Sequence, residues 1–255
     1  MINKNDIITI CRQNVDEFNK KINKLKYEIK GIFNSEMLLF SALATYFNTN
    51  TIIESGRARG YSTLVLAQYF EHRPIQIISV ECDTGSEDVV IANKKLNKYP
   101  NVYLLFGDSF KVLPKYLKTP CCVLIDGPKG DGALLLALKL LRYKTVKLVA
   151  IHDVHYLSPH RKIMQKLFRH TFFSDDIDFV RNFKYLDKSC WKEQGKYIEF
   201  KDWGPYLRRG NKNRSYSSTL GVIFNADDAT TFIGRNSYLI KLCFHKIKQK
   251  MIWLK

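Results

Sequence analysis

Two aspartates, Asp126 in IDGPKGDG and Asp153 in IHDVHY, each close an apolar run of the kind that forms a buried strand. Paired carboxylates are hard oxygen donors and suit Mg²⁺ or another divalent ion, with coordination positions left for water and a substrate oxygen. Lys129 follows Asp126 by three residues. Beside a metal and a bound hydroxyl, its pKa is expected to fall far enough for it to act as a base. Three more acids stand at the ends of apolar runs: Glu54, Glu81 with Asp83 after it, and Asp108 in FGDSF. After Glu54 comes a turn holding Gly56, Ala58 and Gly60, and then Ser62-Thr63 opens an apolar run. That order is strand, tight turn, helix N-terminus, where free N–H groups favour an electron-rich ligand. A dinucleotide fingerprint, G-x-G-x-x-G, would need glycine at 56, 58 and 61; this chain has Gly, Ala and Tyr there, which disfavours nicotinamide.

Alternation of strands and helices must position these groups. Strands are expected over 51–55, 75–81, 101–106, 121–126 and 147–152, with helices over 62–70, 85–98, 109–118 and 131–143 between them. Near-continuous apolar strands separated by helices imply a parallel sheet covered on both faces, whose ligands sit outside the carboxyl ends of the strands. Upstream, apolar residues three or four apart predict an amphipathic helix over 5–29, and a second helix follows Gly31, capped by Asn34 or Ser35. Downstream, a helix is expected over 159–170 and two further strands over 171–180 and 218–224. The organisation expected is a helical extension over 1–48 and a main domain over 49–236. That domain carries a basic, aromatic insertion over 187–217, and a basic amphipathic helix follows over 237–255.

In a nucleoside-binding sheet of this kind, Glu81 has the position that accepts both ribose hydroxyls. Asp108 or Ser109 can also cap the next helix. Read as Glu-x-Gly-x-Ala-x-Gly, residues 54–60 resemble the first motif of class I S-adenosylmethionine-dependent methyltransferases, with Ala58 for the usual middle glycine. Asp-x-x-Lys followed by a second Asp after the next strand is similar to catechol-type O-methyltransferases. The pairing of IDG with HDV about 27 residues on looks like a bacterial group with cephalosporin-hydroxylase-like and glycan-modifying members. The resemblance covers about residues 50–157. It implies a Rossmann-like three-layer sandwich with a seven-stranded, mostly parallel sheet. It also implies that Glu54, Gly56, Ala58, Gly60 and Ser62 line the methionine end of S-adenosyl-L-methionine. Asp108 and Ser109 would read the adenine, Phe110 would lie against the ring, and Asp126 and Asp153 would ligate the metal. The catechol-type pattern has an amide after the second Asp where this chain has Val154; His155 is the substitute at hand, as ligand or base. His152, inside the apolar strand end, reads as packed and hydrogen-bonded, and His160 and His170 as surface residues.

The formal charge of +17 points to an anionic partner such as nucleic acid, an acidic lipid surface or an acidic glycan, or to a lysine-rich composition. The six cysteines show no C-x-x-C pair and no zinc-ligand spacing and are read as reduced. With neither a signal-peptide core nor a membrane span, the chain is expected in the cytoplasm, with the basic tail able to lie on the inner face of the membrane. The leading expectation is an O-methyltransferase for a glycan or small hydroxylated molecule. An RNA methyltransferase is the rival that charge favours. A non-catalytic nucleotide-binding protein of the same fold stays open through Ala58 and Val154.

Overall fold

The computed structural model describes residues 2–29, 31–194 and 219–225. The insertion beyond residue 194 and the basic tail lie outside the described residues. Five parallel strands form as expected: β1 (Thr51–Ser55), β2 (Gln76–Glu81), β3 (Val102–Phe106), β4 (Cys121–Ile125) and β5 (Val146–Ile151). With β6 (Thr171–Phe173) and β7 (Gly221–Phe224) they make one seven-stranded sheet in the order β3-β2-β1-β4-β5-β7-β6. Only β7 runs antiparallel to its neighbours β5 and β6.

Side chains alternate across this sheet and divide the core into two layers. Ile52, Ile77, Cys122, Leu124 and Leu148 face α1 (Lys4–Ile22), α2 (Asn34–Tyr46) and α3 (Tyr61–Tyr69). Ile53, Val80, Val123 and Ile151 face α6 (Asp131–Leu140) and α7 (Pro159–Leu167). The remaining helices are α4 (Glu87–Leu96), α5 (Ser109–Val112), α8 (Ile177–Phe183) and α9 (Lys188–Gln194). The result is the Rossmann-like three-layer architecture, and α1 and α2 share the same core as the sheet.

Four local expectations are corrected. The first helix ends at Ile22, because Tyr27 is buried: its hydroxyl donates to Gly31 O at 2.6 Å and its ring packs on Phe33 and Tyr61. Helix α2 starts at Asn34 with Phe33 as its cap residue. The Ser35 amide and hydroxyl reach instead to the buried carboxylate of Asp187, at 2.7 and 2.6 Å, so a distant acid satisfies the helix start. The expected helix over 109–118 is α5 followed by a 3₁₀ turn, Leu113–Tyr116, where Pro114 lacks the N–H an α-helix needs. Of the strand expected over 171–180 only 171–173 pairs; Asp176 then accepts from the amides of Asp178 and Phe179 and starts α8.

Candidate functional site

The chain runs β1, β2, β3 toward one edge and returns beside β1 with β4, so the strand order reverses between β1 and β4. Ligands of open α/β sheets bind in the crevice at that reversal. Here it is bounded by the glycine turn after β1 and the loop after β4. Gly56, at φ +79°, lies so close to that loop that an added Cβ would come 2.6 Å from Gly127 N and 3.0 Å from Asp126 C. Ser55 Oγ joins the two sides, hydrogen-bonding Ser109 Oγ at 2.6 Å and donating to Gly127 O. The ends of β1, β3 and β4 are thus tied by one hydroxyl.

The acids divide into buried and open ones. Glu54 is fully buried and accepts from Ser62 Oγ at 2.5 Å, Ser79 Oγ at 2.7 Å and Thr63 Oγ1. Burial raises its pKa against the pull of those hydroxyls. The structure therefore places Glu54 and Ser62 beneath the turn, holding the start of α3. Gly60, at φ +77°, leaves room for Leu96 and Ala92 of α4. Glu81 accepts from four backbone amides: Arg57 and Ala58 at 3.0 Å each, Cys82 at 2.8 Å and Asp83 at 3.3 Å. Burial alone would raise its pKa, but those N–H groups outweigh it and hold the acid below its ordinary value of 4.5. Oε2 is taken by Arg57 and Ala58 and Oε1 by Cys82 and Asp83, so a ribose diol would have to displace an amide at each oxygen to use both. Asp108 caps α5 through Phe110 N at 2.9 Å and is exposed, as is Phe106 beside it, whereas Phe110 packs against the sheet. Both readings of Asp108, cap and ligand acceptor, are compatible with this placement.

Sequence reading passed over two residues. Arg57, within the turn, is buried: Nη1 donates to Ser79 O at 2.7 Å and Leu105 O at 3.2 Å, and the guanidinium stacks 4.8 Å from the Phe106 ring. Glu36, on α2, is 2 % exposed and accepts from Ser174 Oγ at 3.1 Å. A lone acid in the apolar run NSEMLLF was the available signal for Glu36; the surrounding polar turn masked Arg57.

The loops after β4 and β5 form the densest charge cluster. Asp126 Oδ1 takes hydrogen bonds from Lys129 Nζ and, at 2.7 Å, from His152 Nδ1. Lys129 Nζ also donates to Asp153 Oδ2 at 2.6 Å. Asp153 adopts φ +65°, in the left-handed region. His152, packed as expected, has Nε2 3.4 Å from Glu36 Oε2. Burial works against its charge, yet Asp153 and Asp126 raise its pKa well above 6.5. Burial likewise would raise Asp126, but the charges of His152 and Lys129 lower it. Lys129 differs from expectation: burial would lower it, but Asp126 and Asp153 outweigh that, so its pKa is raised and it is an ammonium. His155 has its pKa lowered by burial and is a neutral imidazole at pH 7. Asp126, His152 and Asp153 bring ligand atoms within 4.8 Å of one another, and the imidazole in this group is His152, not His155. Val154 is buried against Gly221.

This arrangement does not fit a resident divalent ion. Lys129 holds both carboxylates, both ring nitrogens of His152 face acids, and Val154 offers no donor atom. For S-adenosylmethionine, the exposed Asp108 is an open acceptor suited to an amino or hydroxyl group, and the ionised Asp126 suits a sulfonium.

The strand order and its acidic carboxyl edge are those of the Rossmann-like methyltransferase fold. Neither a family profile nor a curated protein matches the chain. It is similar to a solved O-methyltransferase of tomaymycin synthesis from Streptomyces achromogenes in complex with SAM, at 14% identity over 89% of this chain and 92% of that one, TM-score 0.43. A Bacillus cereus O-methyltransferase in complex with SAH shares 12% identity over 85% and 90%, TM-score 0.41. An rRNA methylase from Streptococcus thermophilus shares 12% over 73% and 96%, TM-score 0.42. These values are too low to bear on what the chain does, and the fold assignment rests on its own sheet. Among the described residues no helix is long and apolar enough to cross a membrane.

Proposed function

We propose that this chain is an S-adenosylmethionine-dependent methyltransferase acting on a hydroxyl of a glycan or other small molecule. The observation that carries the reading is the crevice at the strand reversal. There the glycine turn, Glu81, Asp108 and Asp126 stand at adjacent strand ends joined through Ser55 and the turn's own amides.

S-Adenosylmethionine, when bound, would supply a methyl group activated by its sulfonium for transfer to an acceptor oxygen. Asp108 and Glu81 are the groups to hold the adenosine, and the ionised Asp126 favours the sulfonium charge. The chain must then align the acceptor and take its proton. Lys129, fixed between Asp126 and Asp153, positions the acceptor oxygen. His155, neutral at pH 7, is the proton acceptor, and it becomes imidazolium as the ether forms. The charge of +17 favours RNA as a second class of acceptor.

Calorimetry with S-adenosylhomocysteine tests the first half of this reading: saturable binding that weakens at least tenfold in Asp108→Ala is expected. Transfer of labelled methyl groups to cell extracts, with and without RNase, tests the second. Asp126→Ala should abolish it, and incorporation lost only after RNase selects RNA. Absence of both binding and transfer would overturn the proposal.

A further inference from the structure

The geometry points to Lys129 as a tethered cation in the place a divalent metal would take between Asp126 and Asp153, so that the site works without metal. The inference deepens the methyl-transfer reading and rests on it for its catalytic sense.

Three observations carry it. First, one ammonium satisfies both carboxylates, donating to Asp126 Oδ1 and, at 2.6 Å, to Asp153 Oδ2. Second, among the described His, Cys, Asp and Glu residues only His152 is grouped with the two aspartates. The residue after Asp153 is Val154, whose amide donates to Thr219 O at 3.0 Å and whose side chain is buried beside Gly221. His152 has Nδ1 2.7 Å from Asp126 and 3.5 Å from Asp153, with Nε2 3.4 Å from Glu36. Nδ1, the ring nitrogen nearest both aspartates, is therefore already engaged by Asp126. Third, the charge of the aspartate pair is already partly offset: the Lys129 ammonium sits against both Asp126 and Asp153. A divalent ion entering between the two aspartates would meet the Lys129 ammonium at contact distance.

The substitution changes the chemistry available. A metal would bind an acceptor hydroxyl as a Lewis acid. An ammonium has three N–H groups; two hold the carboxylates, and the third can donate to the acceptor oxygen as negative charge builds on it during attack. Lys129 thereby fixes the two loops and steadies the nucleophile, while the proton goes to a separate base.

The test uses the full chain and Mn²⁺, whose free-ion EPR signal falls when it binds. Wild type should leave the signal unchanged at millimolar Mn²⁺. Lys129→Met, with its two carboxylates released, should take up one Mn²⁺ at least tenfold more tightly than wild type and lose it again in Lys129→Met/Asp153→Asn. If Lys129→Met does not fold by circular dichroism, Lys129→Gln replaces it. Uptake of one Mn²⁺ by wild type, abolished in Asp153→Asn, would overturn the inference, and so would failure of the folded Lys129 variant to bind. Calorimetry with S-adenosylhomocysteine on the same preparations separates the two proposals: no binding there refutes methyl transfer and leaves the Mn²⁺ result to stand.

Discussion

Replacing Gly56 by alanine probes the contact on which the crevice depends. The glycine has φ +79°, a conformation that costs an L-residue about 1–2 kcal/mol. Its new Cβ would lie 2.6 Å from Gly127 N and 3.0 Å from Asp126 C, both backbone atoms that no rotamer change can move aside. Overpacking of this kind adds about 1–3 kcal/mol, for a total loss of roughly 2–5 kcal/mol. In a domain of this size that corresponds to roughly 4–20 °C in Tm. Gly60→Ala shares the positive φ, but its Cβ would meet a side-chain end, Leu96 Cδ1 at 2.9 Å, and Ala92 Cβ at 3.2 Å, with no backbone atom nearer than 3.4 Å, so the loss should be smaller. Gly85, with no atom within 4 Å of an added Cβ, is the control and should be neutral or stabilised by up to about 1 kcal/mol. Urea unfolding followed by circular dichroism gives the three stabilities, and calorimetry with S-adenosylhomocysteine shows whether the displaced Gly127 and Asp126 disturb binding. If Gly56→Ala unfolds within 0.5 kcal/mol of Gly85→Ala, the close approach of the two loops is wrong.

Glu36→Ala leaves the buried His152 cation without one of its acids and should cost about 3–5 kcal/mol in denaturant unfolding; a loss below 1 kcal/mol would show that the pair contributes little. Because the folded-state pKa of His152 is raised, its stabilising effect is complete below pH 6.5 and is lost as pH rises through the folded value. The stability difference between wild type and His152→Asn should therefore shrink on going alkaline, and a difference that grows instead would contradict the ion-pair geometry. His155→Asn should lower kcat by about 10²–10⁴ while S-adenosylhomocysteine affinity stays within twofold. With the His155 pKa lowered, the wild-type rate should fall only below pH 6.5, and labelled-methyl assays across pH would show a variant without that acid limb.

Much of the frame was legible in the chain itself. Apolar runs closed by Glu54, Glu81, Asp108, Asp126 and Asp153 located five strands to within one residue at either end, because strands of a covered parallel sheet are largely apolar. The acids of the crevice followed from those ends, since a parallel sheet carries its ligands at one edge. Helix limits were less legible where a distant residue overrode a local signal, as Asp187 does at Ser35 and as Tyr27 does after Ile22.

What each acid does was decided by the tertiary structure. Glu54 and Glu81 are both strand-end glutamates in sequence, yet three hydroxyls enclose one and four backbone amides fix the other. Lys129 reads as a base when only its spacing from Asp126 is known. It becomes a bridging ammonium once β5 brings Asp153 beside β4, because two carboxylates at contact distance favour its charged form. Glu36, more than a hundred residues from His152 in the chain, reaches it because α2 packs across the sheet. Sequence determined which groups reach the edge, since burial and periodicity act locally; their protonation and partners come from neighbours that only folding makes adjacent.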